Sequence, residues 1–126
     1  MAANPQIAMS GLARSFAVLA AERGPVWSAM TAHPELVGGE RRDATRLMRA
    51  VPGLMAKDGA EGVFAAALPD GMAAAVKIAD GAARAAGVVM AAALRAAGVD
   101  VPDDAAGAPI LGHGRPVGEV RSLVGR

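Results

Sequence analysis

Glu61-Gly62-Val63-Phe64-Ala65-Ala66-Ala67-Leu68, the triplet Pro69-Asp70-Gly71 and the run Met72-Ala73-Ala74-Ala75-Val76-Lys77-Ile78-Ala79 decide the fold class of this chain. Residues 61–68 are apolar on nearly every position, as in a strand covered on both faces. Pro-Asp-Gly is a tight-turn signal, and the second run alternates: Met72, Ala74, Val76 and Ile78 on one side, Ala73, Ala75 and Lys77 on the other. The stretch therefore reads as an antiparallel hairpin.

Working outward, Asp80-Gly81 closes the hairpin and offers a cap for the next helix. Residues 82–97 form that helix, which is alanine-rich and which Gly98 ends in the manner of a C-terminal cap. Residues 99–107 read as loop. Residues 110–123 show the weakest pattern, extended but interrupted by Gly112, Gly114, Pro116 and Gly118. Upstream, Met9, Leu12, Phe16 and Leu19 recur at helical spacing within residues 7–23, with Arg14 and Glu22 off that face. Gly24-Pro25 breaks this helix, and Pro25 suits the first position of a second one that stops before Pro34. Val37-Gly38-Gly39 reads as loop. A further helix over residues 43–50 turns Leu47, Met48 and Val51 inward and ends at Pro52-Gly53. Helices come first, then the hairpin, then a long helix that can cover it. Segregation of this kind predicts an α+β fold, with a sheet of three strands at most.

Composition narrows the function classes. The chain has 126 residues, 53% of them apolar, too many for disorder. Alanine is the largest part of that fraction, and there are only two phenylalanines, one tryptophan and no tyrosine. Such a core depends on close approach of elements rather than on bulk, and a domain this small buries a modest share of its surface. Net charge is +1 with both signs interspersed, and no basic stripe with aromatics speaks for nucleic acid. With no cysteine, disulfides and thiolate metal sites are excluded. Residues 1–5 have no signal-peptide character, the apolar run at 87–94 is too short to span a bilayer, and the cytoplasm is the default location.

Lys57-Asp58-Gly59 is the triplet of most chemical interest. A lysine at the mouth of a strand projects an ammonium, and the following glycine lets backbone approach a ligand closely. A Lys-Ser/Thr-Gly triplet holds such a place beside a Ser-x-x-Lys nucleophile in β-lactamase-type serine hydrolases. Taken alone, the triplet more often describes an ordinary surface lysine in a turn. Glu61 lies four residues on and is close enough to pair with Lys57. His33, before Pro34, suits a helix end, and His113 lies between glycines without metal-binding partners. Lys77 sits inside a strand with Asp80 nearby, as on a solvated face. No phosphate loop is present, and the methionines are core filler.

A wider pattern surrounds the triplet. Leu54-Met55-Ala56-Lys57-Asp58-Gly59-Ala60-Glu61-Gly62-Val63 resembles the signature of asparaginases of the Rhizobium etli type, a serine/lysine amidohydrolase family. His33-Pro34-Glu35-Leu36-Val37-Gly38-Gly39, Leu47-Met48-Arg49-Ala50-Val51-Pro52-Gly53 and Val76-Lys77-Ile78-Ala79-Asp80-Gly81 look like further family blocks, and Leu12-Ala13-Arg14-Ser15-Phe16-Ala17 is a looser one. The resemblance implies a fold related to serine β-lactamases and glutaminases. It implies a Ser-x-x-Lys pair as nucleophile and base, and a second Ser/Lys pair whose lysine Lys57 resembles. Hydrolysis of a side-chain amide through an acyl-enzyme, with release of ammonia, would be the reaction.

The sequence departs from that pattern. None of its four serines, Ser10, Ser15, Ser28 and Ser122, has a lysine three residues on. The family's cysteine-bearing segments, which go with a metal near the site, are missing too. The expectation is a single C-terminal fragment of an asparaginase-like domain over residues 1–126, helical over 1–53, sheet plus long helix over 54–126, and inactive alone. Lys57 is the expected catalytic residue, Gly59 and Glu61 the expected substrate-binding residues, with no metal and no cofactor. Expected partners are L-asparagine or a similar small amide once the site is completed, and an N-terminal half or a second copy, but neither nucleic acid nor membrane. The alternatives are a non-catalytic accessory subunit or remnant, and a small α+β interaction module.

Overall fold

The computed structural model describes residues 6–124; the expectation about signal-peptide character, which concerns residues 1–5, lies outside the described residues. Four helices come first: α1 (Met9–Glu22), α2 (Pro25–Ala32), α3 (Pro34–Gly38) and α4 (Asp43–Ala50). Three antiparallel strands come next, β1 (Met55–Asp58), β2 (Val63–Ala67) and β3 (Ala73–Lys77), in the order β1-β2-β3. Then come α5 (Ala86–Ala96), the short α6 (Asp103–Ala106) and a separate hairpin of β4 (Ala108–Gly112) and β5 (Arg115–Val120). The fold is α+β.

The predicted hairpin is present, and its register explains why β2 reads apolar throughout. Phe64 pairs with Val76 and Ala66 with Ala74, on the face that meets α4 and α5. Ala65 and Ala67, on the other face, are buried where α1 crosses β2 and β3. A strand covered on both sides has no polar face to show. The core is the α4–sheet–α5 layer, where Leu47, Leu54, Phe64, Met90 and Leu94 are fully or almost fully buried. Trp27 Nε1 donates to Gly53 O at 2.9 Å and ties α2 to the turn before β1.

Several sequence expectations change in detail. Lys57-Asp58-Gly59 does not precede the first strand: Lys57 and Asp58 belong to β1 itself, paired with Ala65 and Phe64. A four-residue edge strand is too short to show alternation. Residues 61 and 62 lie in a 3-10 turn before β2 rather than in a strand. Pro34 starts a helix instead of only ending one, because its missing N–H is no loss at a first position. The 99–107 loop contains α6. The long helix begins with a 3-10 turn, Ala83–Ala85, before regular α5. On α1 the covered face centres on Ala13, Phe16 and Ala20, a rotation from the predicted one that leaves Met9 and Leu19 exposed, because small alanines allow the closest approach to the sheet. The weak 110–123 stretch lies in the β4–β5 hairpin and the segment after it. His113 and Gly114 supply positive φ at its two-residue turn, 50° and 77°. Gly98, at φ 88°, ends α5 as expected. No helix among the described residues is long and apolar enough to cross a membrane.

Candidate functional site

Lys57 stands near the C-terminal end of β1, the sheet's edge strand, on the face that α1 covers further along. There it leaves the cover behind: Met55 and Ala65 on that face are buried, whereas the Lys57 side chain is 46% exposed. Its Nζ turns over the strand end and donates to the backbone O of Asp58, and lies 3.4 Å from Asp58 Oδ1. Asp58 points to the opposite face, above Phe64, and is only 20% exposed. Its other oxygen, Oδ2, accepts from Arg42 Nη1 at 3.0 Å. A mostly buried carboxylate requires such partners, and it has a cation on each oxygen.

These side chains border an open cleft of about 360 Å³, lined by Val37, Gly38, Arg42, Lys57, Asp58 and Gly59 among others. α3 forms one wall and the end of β1 the other. Gly59 has φ −126° and ψ 178°, which any residue adopts, and a Cβ there would meet Val63 at an ordinary 3.7 Å. The backbone of Gly59 therefore lies bare along the cleft although the fold alone does not require glycine.

The other expected site residue stands apart. Glu61 adopts φ 61°, and its carboxylate lies over Gly81 in the turn between β3 and α5, where a Cβ would come within 2.8 Å of Oε2. The ion pair of Lys57 is with Asp58, so the structure brings Lys57 and Gly59 together and leaves Glu61 at the far side of the turn. Lys77 pairs across from Val63, which puts it on the same sheet face as Lys57, two strands away. Its Nζ donates to Ile78 O at 2.6 Å, while Asp80 is taken by Arg84. His33 faces Glu35 at 3.6 Å at the α2–α3 junction. No local signal in the sequence joins Arg42 to the site: it lies sixteen residues from Asp58, and only the packing of α4 on β1 brings them together.

With this geometry in place, the family model of L-asparaginase II matches residues 1–122. The chain belongs to the L-asparaginase II family. Comparison with curated proteins gave no match. The family match covers α1 through β5 and so includes every residue of the cleft. No serine and no histidine is among the residues that line the cleft. The metal associated with this family's cysteine-bearing segments does not fit the residues present: the chain has no cysteine, and among the described residues no group of three His, Asp or Glu converges.

What this member of the L-asparaginase II family offers chemically is localised positive charge at a strand end. Two cations, Lys57 and Arg42, share one carboxylate, which leaves the cleft with surplus positive charge facing the bare backbone of Gly59. An ammonium in that position suits a carboxylate or a developing oxyanion. It provides no nucleophile.

Proposed function

We propose that this chain supplies part of the active site of an asparaginase-like amidohydrolase, acting on L-asparagine or a similar small amide to give L-aspartate and ammonia. The supporting observation is the position of Lys57: at the open end of an edge strand, on the rim of a cleft, within a chain matched to L-asparaginase II from residue 1 to 122. In this reading the fold is related to that of serine β-lactamases and glutaminases, and the setting is cytoplasmic. Lys57 holds the substrate carboxylate or lowers the cost of deprotonating a nearby serine; Gly59 lets the substrate lie close to the backbone. Serine attack on the amide carbon expels ammonia and leaves an acyl-enzyme that water cleaves. The serine and its Ser-x-x-Lys base come from sequence other than these 126 residues, either an N-terminal half or another polypeptide. By itself the chain is then inactive toward L-asparagine.

A second reading is favoured by one specific observation: Lys57 is already engaged by Asp58 and sits on an exposed edge, where a lysine prevents edge-to-edge association. The chain would then be a non-catalytic accessory subunit, a remnant or an interaction module. Ammonia release separates the two. In a protein joining a family Ser-x-x-Lys segment to these residues, Lys57→Ala lowers turnover by about a hundredfold or more, the scale of one positioned charge or acid-base group. Lys77→Ala, on the same sheet face, costs far less. Equal turnover in the joined protein and its folded Lys57→Ala variant removes the catalytic reading, and a larger loss at Lys77 transfers it to the other lysine.

A further inference from the structure

The ion-pair chain Arg42–Asp58–Lys57 has a direction. Asp58 is the middle and the most buried member, at 20% exposure against 63% for Arg42 and 46% for Lys57. Its two oxygens are divided: Oδ2 takes Arg42 Nη1 at 3.0 Å, and Oδ1 faces Lys57 Nζ at 3.4 Å. A guanidinium on one carboxylate oxygen favours one rotation of the carboxyl, and with it one position of the second oxygen. Arg42 is itself anchored. Its backbone precedes the first residue of α4, its carbonyl accepts the Arg46 N–H at 3.1 Å, and the helix beyond it buries Ala44, Thr45, Leu47 and Met48. Lys57 by contrast has a flexible four-carbon stem on an edge strand, and its tethers are the oxygens of Asp58.

We infer that Arg42 is a positioning residue of the cleft: by holding Asp58 Oδ2 it orients the carboxylate that, together with the closer Asp58 backbone O, holds the Lys57 ammonium at the rim. The inference rests on the reading of Lys57 as a site residue, which it deepens by naming what orients it. Arg42 does this from the α4 side of the strand, so the tether crosses β1 from one sheet face to the other. A cation whose role was to bind ligand directly would act on Lys57 whether or not Asp58 carried charge. Arg42 acts only through Asp58.

Lysine side-chain NMR tests this on the chain as it stands, because it has only two lysines. With 13C-labelled lysine the Lys57 and Lys77 signals are assigned by Lys57→Arg. Arg42→Ala is expected to move the Lys57 Cε signal and increase its mobility, with Lys77 unchanged and the amide spectrum still dispersed. Arg42→Lys restores part of the effect, since one charge is kept without the planar fork. Asp58→Asn produces a Lys57 change of the same kind, and adding Arg42→Ala to it changes Lys57 no further. In the joined protein Arg42→Ala weakens kcat/KM by about two- to fivefold, the scale of one partly exposed pair. A Lys57 signal indifferent to Arg42→Ala, or one that responds equally when Asp58 is already Asn, overturns the inference; should Arg42→Ala unfold the chain, Arg42→Gln makes the same decision. These signals are independent of turnover, so a Lys57→Ala protein of undiminished activity would remove the functional reading while leaving the Arg42 result to stand or fall alone.

Discussion

Asp43 and Gly87 set how closely α4 and α5 approach: a Cβ on Gly87 would lie 2.2 Å from Asp43 Oδ2 and 2.7 Å from its Cβ. Glycine within a helix costs about 1 kcal/mol relative to alanine, so its presence in the first turn of α5 needs a reason, and this contact supplies it. The two helices share the core layer in which Leu47, Met90 and Leu94 are buried.

Gly87→Ala is therefore expected to destabilise the chain in spite of better helix propensity. Pushing the helices apart costs about 1–3 kcal/mol, more than the propensity gain returns. Chemical denaturation would show a lower midpoint. In an Asp43→Ala background the penalty shrinks without vanishing, because the Cβ of residue 43 still intrudes. An unchanged or raised midpoint for Gly87→Ala would contradict this account of the α4–α5 contact.

Acid should act through Asp80 in a definite sense. The Ala82 N–H on Oδ1 and the Arg84 guanidinium on Oδ2, at 2.9 and 2.6 Å, hold this carboxyl below the ordinary aspartate range. The folded state therefore favours the ionised form. Its contribution is complete above the unfolded-state value and is lost as pH falls through the lowered folded value. Thermal melts between about pH 6 and pH 2 should fall less in Asp80→Asn than in the wild type. The group is exposed and the difference small; an identical pH response in both proteins would contradict it.

Hydrogen exchange should divide the molecule into two. β2 is paired on both sides and covered on both faces, so its amides exchange only with large opening. The β4–β5 hairpin is bonded chiefly to itself, with Ile110, Leu111 and Val117 at 49, 59 and 69% exposure. A hairpin of two strands is marginal in water. Protection in β4–β5 equal to that in β2, measured at high dilution, would show that this picture of the hairpin is wrong.

Much of this was legible beforehand, where local signals agreed. Pro69-Asp70-Gly71 between two apolar runs specified the β2–β3 hairpin, whereas Asp80 closes a local turn on the Ala82 N–H and leaves the helix that follows without a side-chain cap. The bounds of α4 were readable because Leu47, Met48 and Val51 lie at helical spacing against a polar remainder. Strand β1 was not, since four residues of mixed character show no period, and the β4–β5 hairpin was masked by Pro109, Pro116 and the glycines within it. In the site, Lys57 and Gly59 could be singled out because they share a triplet. Glu61 has the spacing of a partner for Lys57, but its left-handed backbone carries it to Gly81 instead.

The sequence by itself determined the α+β class, the central hairpin, the family and the absence of any Ser-x-x-Lys, because each is written in neighbouring residues. Only the tertiary structure decided that Arg42 reaches Asp58, that Lys57 and Lys77 share one sheet face, and that Gly87 makes room for Asp43. Those relationships join residues sixteen to forty-four positions apart. They depend on the register of β1-β2-β3 and on how α4 and α5 pack against the sheet and each other, which short-range periodicity does not encode.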